Sequence, residues 1–434
     1  MKELLKSAFA CAAVSSVAFA AVPVLDSDSV SVGQLGSRTV VISYKLNAPA
    51  AGEAEPAIVT VDILTNAVGG AAVSVGGEHL QTLSGDVNRL VKTGEHKILW
   101  KPHKEGMPEF ALPAVQVTAR LTLWSTNAPP DYWLVDLSSK DTMKDRFSDR
   151  FYPNVEQIPG GVESDTYKRD WLVLRRIPSR GVTWRQGAST SDYSQATTGE
   201  TPRYVSFSYE YYMAIYELTR AQLARISRNW QYKIGFGSEI TEADFQSAMP
   251  MTGTPATYQF NGWDTAGSFD PTGSRVRTLN AQLKNVANTL KLAADFPTRA
   301  EFEYACHAGS PSLYVSGDGD FGDYAWYKGN STGIAFHEVG TRKPNAWGLY
   351  DLQGNVPEFA LDWIEASRSS DPVWDPLGPE MTENYRVTFG GHVGRTKEQC
   401  RASDYGSMPP AQNTGNHTSN AGYNVGIRLV VIIP

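Results

Sequence analysis

The sequence predicts a multidomain chain, an all-β sandwich followed by an α+β domain with little regular secondary structure. Two patterns predict it. Up to about residue 125, apolar residues fall in short β-branched runs separated by Gly-rich turns, without helical spacing. Beyond residue 171, strand-like runs mix with capped helix starts and long polar loops. The size agrees: 434 residues, 41% hydrophobic and 20% charged, supply more than one core.

Residues 1–20 read as an export signal. Lys2 and Lys6 give a basic start, Ala8 to Ala20 is small and apolar, and Ala18-Phe19-Ala20 has the small-x-small cleavage pattern. The run is too short to span a bilayer, and no later run is longer, so no transmembrane segment is expected. The mature chain is expected to begin at Ala21 and to reside in the periplasm, at the cell surface or outside the cell. Net charge is −7 and pI near 5.6, with no basic cluster, which argues against a nucleic-acid partner.

Residues 21–128 form the first expected domain. Val40 to Leu46, Ile58 to Leu64, Lys97 to Trp100 and Val115 to Trp124 are its strand-like runs, and their spacing predicts an immunoglobulin-like sandwich. Asn127-Ala128-Pro129-Pro130 marks a boundary, and residues 129–170 read as a connecting segment with one strand-like piece, Tyr132 to Leu137.

The second domain is expected over 171–434. Trp171 to Ile177 is a buried strand stopped by Pro178, and Tyr204 to Tyr216 reads as another. Thr219 and Gln222 make a capping box, as do Thr298 and Glu301 ahead of a helix that Gly309 ends. Leu279, Leu283, Val286 and Leu290 recur at helical spacing. Arg386 to Phe389 and Val425 to Val431 are the last predicted strands.

Pro344 to Trp363 is too rich in Gly, Asn and Pro for a regular element, yet carries aromatic residues at 347, 350, 359 and 363. Such a loop packs into a core. Asp351 and Glu358 flank a Gly-Asn turn, so their carboxylates and the carbonyls between them either converge on a hard cation or cap nearby backbone N–H groups.

In order, Tyr211-Tyr212-Met213 to Thr219, Phe296-Pro297-Thr298-Arg299-Ala300-Glu301-Phe302-Glu303-Tyr304-Ala305, Asn345 to Trp363, Phe389-Gly390-Gly391 and Val425-Gly426-Ile427-Arg428-Leu429 resemble the signatures of the sulfatase-modifying-factor, or formylglycine-generating-enzyme, family. The resemblance covers roughly 171–434 and implies a C-type-lectin-like α+β fold. It also implies a structural calcium held by the side chains of Asp351 and Glu358 and the carbonyls of Gly354 and Val356. Pro357 stands where the family usually has tryptophan.

The family's oxidases bind copper(I) through two thiolates after the Gly-Gly pair. Here only Cys400 follows Gly391, so copper is not supported. Cys400 maps either to the second copper position or to a structural cysteine paired with Cys306. Once the leader is removed, these two cysteines are the whole complement, and in an oxidising compartment an isolated pair reads as a disulfide. The clustered-histidine iron motif of the ergothioneine-synthase branch is absent. His307, His337, His392 and His417 show no ligand spacing, so iron is not supported either. The expected role is binding or envelope display of an unknown ligand or protein through the polar region Arg395 to Asn424. The alternative is a metal- and O2-dependent thiol oxidase of the formylglycine-generating type.

Overall fold

The computed structural model describes residues 22–35, 38–50, 55–66, 71–107, 116–137, 148–226, 233–234, 238–239, 247–250, 292, 294–333, 335–379, 385–408 and 425–433. The leader, the helical spacing from Leu279 to Leu290, His417 and residues 409–424 of the polar region lie outside them.

The N-terminal part is two antiparallel sheets sharing one core. One orders β1 (Val24–Leu35), β2 (Thr39–Asn47), β7 (Gly94–Trp100) and β5 (Ser84–Gly85). The other places β3 (Ala57–Asn66) against β4 (Val73–Ser74), β6 (Arg89–Val91) and β8 (Gln116–Trp124). Strict alternation drives it: along β2, Val40, Ile42, Tyr44 and Leu46 point inward, and they meet Val59, Val61, Ile63, Ile98 and Trp100. Ile58 joins the core of the second part, where Leu90 and Trp124 also pack.

The predicted connector is part of the fold. Its residues supply β9 (Tyr132–Asp136) and β10 (Arg150–Tyr152), which extend the central sheet in the order β10-β9-β11-β14-β22-β17. Here β11 is Trp171–Ile177, β14 Glu210–Ala214, β17 Ala294–Asp295 and β22 Val430–Ile433. The long Tyr204 to Tyr216 run breaks in two. β13 (Arg203–Ser206) leaves to join β12 (Thr183–Gln186) and β19 (Val373–Trp374), because Ser208 turns the chain by bonding Asp375 through its N–H at 2.8 Å and its hydroxyl at 2.6 Å. β18 (Glu358–Trp363), β20 (Arg386–Phe389) and β21 (Gly406–Met408) form a further sheet, and β15 (Lys233–Ile234) pairs with β16 (Ser238–Glu239).

Both capping boxes form. Gln222 N donates to Thr219 Oγ1 at 3.1 Å and Thr219 N to Gln222 Oε1 at 3.0 Å, opening the helix Arg220–Ile226. Thr298 and Glu301 do the same for Arg299–His307, which ends on Ala308 and Gly309 in left-handed conformations. The final strand is shorter than predicted. Val425 to Leu429 is buried but irregular, with Gly426 bridging to Glu358, so regular pairing starts at Val430.

Candidate functional site

The 345–363 loop is fixed at three points before any chemistry is considered. Asn345 donates to Ala305 O at 2.8 Å and accepts from the N–H groups of Trp347 and Leu349 at 3.0 and 3.1 Å, tying the loop to the 299–307 helix. Tyr350 N bonds Ile215 O, and Gly354 N bonds Gly390 O at 2.6 Å. Gly354 has φ 98°, and a Cβ there would sit 2.2 Å from Trp326 O, so both conformation and contact require glycine. The packed-loop expectation holds: Leu349, Tyr350, Leu352, Val356 and Phe359 are all buried.

At its centre lie Glu217, Asp351, Glu358 and Arg428, each at most 3% exposed. Arg428 Nε donates to Glu358 Oε2 at 2.9 Å and Nη2 to Oε1 at 2.8 Å. Nη1 and Nη2 also donate to Ala214 O and Tyr350 O, both at 2.9 Å. Glu217 accepts from Asn355 Nδ2 at 2.7 Å and from Val356 N at 3.2 Å. Asp351 accepts from Gly340 N at 2.6 Å through Oδ2, while its Oδ1 is buried without a partner.

Three carboxylates thus face one guanidinium. Burial pushes Asp351 up to about 6, and burial together with Asp351 and Glu358 holds Glu217 well above the usual carboxylate range. Burial also raises Glu358, against the pull of Arg428. For Arg428, burial acts downward, but Glu358 and the other two acids outweigh it and keep the guanidinium charged.

Of the side chains expected to hold calcium, Glu358 is already taken. Both Glu358 oxygens are engaged by Arg428, so a cation bound there would sit against a fixed positive charge. Asp351 Oδ1 is the carboxylate oxygen left over, and among the described residues no group of three or more His, Cys, Asp or Glu is arranged to hold a metal. Asp351 and Glu358 lie within electrostatic reach of each other, and Arg428 and Glu217 stand with them. Sequence reading passed over both, although a charge inside Val-Gly-Ile-Arg-Leu-Val-Val and one inside Tyr-Glu-Leu signal partners within a core.

The predicted Cys306–Cys400 disulfide is not formed; both are free, buried thiols. Cys306 faces the core that contains Phe302 and Tyr304, whereas Cys400 packs with Phe321 and Ala325. Cys400 is held beneath Gly391, where a Cβ would lie 2.4 Å from Sγ. The two sulfurs therefore belong to different hydrophobic clusters, and sequence spacing does not bring them together. Burial raises both thiols, Cys400 to about 12, so neither carries thiolate at neutral pH.

His392 is also buried, and burial followed by nearby Arg395 lowers it to about 4. Gly394 N donates to its Nδ1 at 3.1 Å, which fixes a neutral ring. His337 stacks on Trp326 with centroids 3.7 Å apart, and His307 lies 3.9 Å from Glu303. The described histidines are spread over separate places.

The base of the polar region is anchored as well. Arg401 grips Glu200 through Nε at 3.1 Å and Nη2 at 2.6 Å, and Ser403 Oγ adds a bond to Glu200 at 2.7 Å. Arg299 bonds Gly199 O and Ser403 O and lies over the Tyr405 ring at 4.0 Å.

Comparison with known proteins follows this geometry. Residues 181–433 match the family described as the sulfatase-modifying factor enzyme 1-like domain. The chain is 30% identical over 141 residues to a formylglycine-generating enzyme of Mus musculus and 29% identical over 143 residues to that of Bos taurus. Each match takes in 29% of this chain, and the chain spans 37% of the length of either enzyme. Among solved structures, Treponema denticola variable protein 1 is 20% identical with a TM-score of 0.44, covering 60% of this chain and 95% of that one. PvdO from Pseudomonas aeruginosa is 17% identical with a TM-score of 0.47, covering 63% and 98%.

Proposed function

The chain belongs to the sulfatase-modifying factor enzyme 1-like family, and from that premise we propose that it is an exported binding or envelope-display protein in which the fold serves as a scaffold. The N-terminal sandwich is taken as immunoglobulin-like and the second domain as C-type-lectin-like, with residues 1–20 removed on export. The observation that carries the reading is the state of the two cysteines. A copper(I) oxidase of this type needs two soft thiolates at one place. Cys306 and Cys400 are instead protonated, buried and in separate clusters. In this reading the polar region from Arg395 to Asn424, whose base is anchored through Arg401 and Tyr405, bears the recognition surface.

No helix among the described residues is long and apolar enough to cross a membrane. The test is anaerobic copper(I) titration followed by oxygen-uptake measurement with a cysteine-containing peptide. The expected result is no stoichiometric copper and no copper-dependent uptake. One copper per chain, lost in Cys400→Ser and coupled to oxygen consumption, favours the oxidase instead.

A further inference from the structure

Three of the six large hydrophobic side chains exposed among the described residues, Val182, Tyr204 and Trp374, belong to the small β12-β13-β19 region. The register explains why two of them stand on one face. Arg185 pairs with Tyr204, Thr183 with Ser206, and Ser206 with Trp374. The alternate residues point the other way: Val205 is fully buried, and Val373 and Trp184 pack on the core. Trp374 and Tyr204 are thus diagonal neighbours whose bases lie roughly 8 Å apart, from the strand spacing and the two-residue rise of a sheet.

The tryptophan is mounted rather than loose. Asp375, immediately after it, holds a left-handed φ of 45° that non-glycine residues seldom adopt. Its carboxylate takes both bonds from Ser208, and its own N–H bonds Ser206 O at 2.9 Å. The backbone beside Trp374 is thus fixed by three bonds, with Trp374 67% exposed and Tyr204 56% exposed. Next to them, Arg185 pairs with Asp192 at 2.6 Å, and Asp192 is pinned by Ser189 N at 2.7 Å and Ser189 Oγ at 2.6 Å.

We propose that this face is a carbohydrate-binding platform for neutral glycans, with Trp374 and Tyr204 stacking on the C–H faces of successive sugar rings. Arg185, Asp192 and Thr183 at the rim meet the hydroxyls. A stable protein interface buries roughly 800 Å² per side, which two exposed rings do not supply on their own. Charge decides against an acidic glycan, since the rim's arginine is already neutralised by its aspartate. Flat π-faces bordered by hydrogen-bonding groups complement a pyranose, which is apolar on its ring faces and polar around its edge.

This platform names a ligand class on a face formed by residues other than 395–424, so its failure leaves the copper test and the binding reading untouched. The experiment is a neutral-oligosaccharide array probed with the full chain, with tryptophan-fluorescence titration of the hits, for wild type, Trp374→Ala, Tyr204→Ala and Arg185→Ala. The expected result is binding to neutral oligosaccharides, weakened at least tenfold by either ring deletion and less by Arg185→Ala, with thermal stability unchanged because the rings are exposed. Three outcomes overturn it: no neutral oligosaccharide bound by wild type, unaltered affinity in Trp374→Ala, or a concentration-dependent dimer that Trp374→Ala abolishes.

Discussion

At the scale of single residues, the buried acids around Arg428 make the fold sensitive to protons in a definite direction. Asp351 is raised to about 6 and Glu217 is raised as well, so the folded chain keeps protons that the unfolded chain releases from roughly pH 4 upward. Asp351's stabilising contribution is complete below that point and is lost as pH rises through 6, and Glu217 acts in the same direction. His392 acts oppositely. Lowered to about 4, it contributes fully above roughly pH 6.5 and its contribution fades as pH falls towards 4. The two partly cancel in the wild-type curve, so the informative quantity is the difference between Asp351→Asn and wild type, in which His392 drops out. Between pH 5 and pH 8 the variant gains on wild type by about 1–1.5 kcal/mol, followed by urea denaturation at several pH values. Parallel curves contradict the assignment.

This cluster also shows what was legible in the sequence. That Asp351 and Glu358 meet on a cation or cap backbone N–H groups was legible, because a tight turn separates them. Their counter-charge was not, since Arg428 lies 70 residues from Glu358 and only the tertiary fold unites them. A hard cation and a guanidinium satisfy the same pair of acids, and local pattern does not distinguish them. Coulomb's law does so once the geometry is known.

At the scale of elements, local chemistry was readable wherever the sequence itself closes the bonds. Thr219 with Gln222 and Thr298 with Glu301 are three residues apart, and both boxes form as read. The split between β13 and β14 was not readable, because its cause is Asp375, 167 residues from Ser208. The loop at 345–363 belongs to the same class: its aromatic residues announced burial, but its three tethers run to the 299–307 helix, Ile215 and Gly390. Gly354 is the tightest point. Gly354→Ala forces a Cβ to 2.2 Å from Trp326 O at φ 98°, and the expected loss exceeds about 2 kcal/mol by chemical denaturation. A loss under 0.5 kcal/mol, about the scale of a neutral surface change, contradicts the described path of the loop.

At the scale of the whole molecule, the sandwich followed by a loop-rich domain was legible from periodicity, but the boundary was not. Residues 129–170 have polar stretches that resemble a linker, yet Tyr132–Asp136 and Arg150–Tyr152 are strands of the central sheet. Ile58 from the sandwich packs into the same core, so the two parts share apolar surface. The cysteines carry the same lesson. Counting them suggested a staple, whereas long-range packing assigns Cys306 and Cys400 to different clusters. That separation underlies both the corrected disulfide and the proposed loss of two-thiolate chemistry. The most direct measurement is a thiol titration, without reductant, of the chain from Ala21 onward, native and then unfolded in guanidinium chloride. Two buried, isolated thiols predict no reaction in the native protein and two equivalents on unfolding; a fast-reacting native thiol, or none after unfolding, contradicts the account.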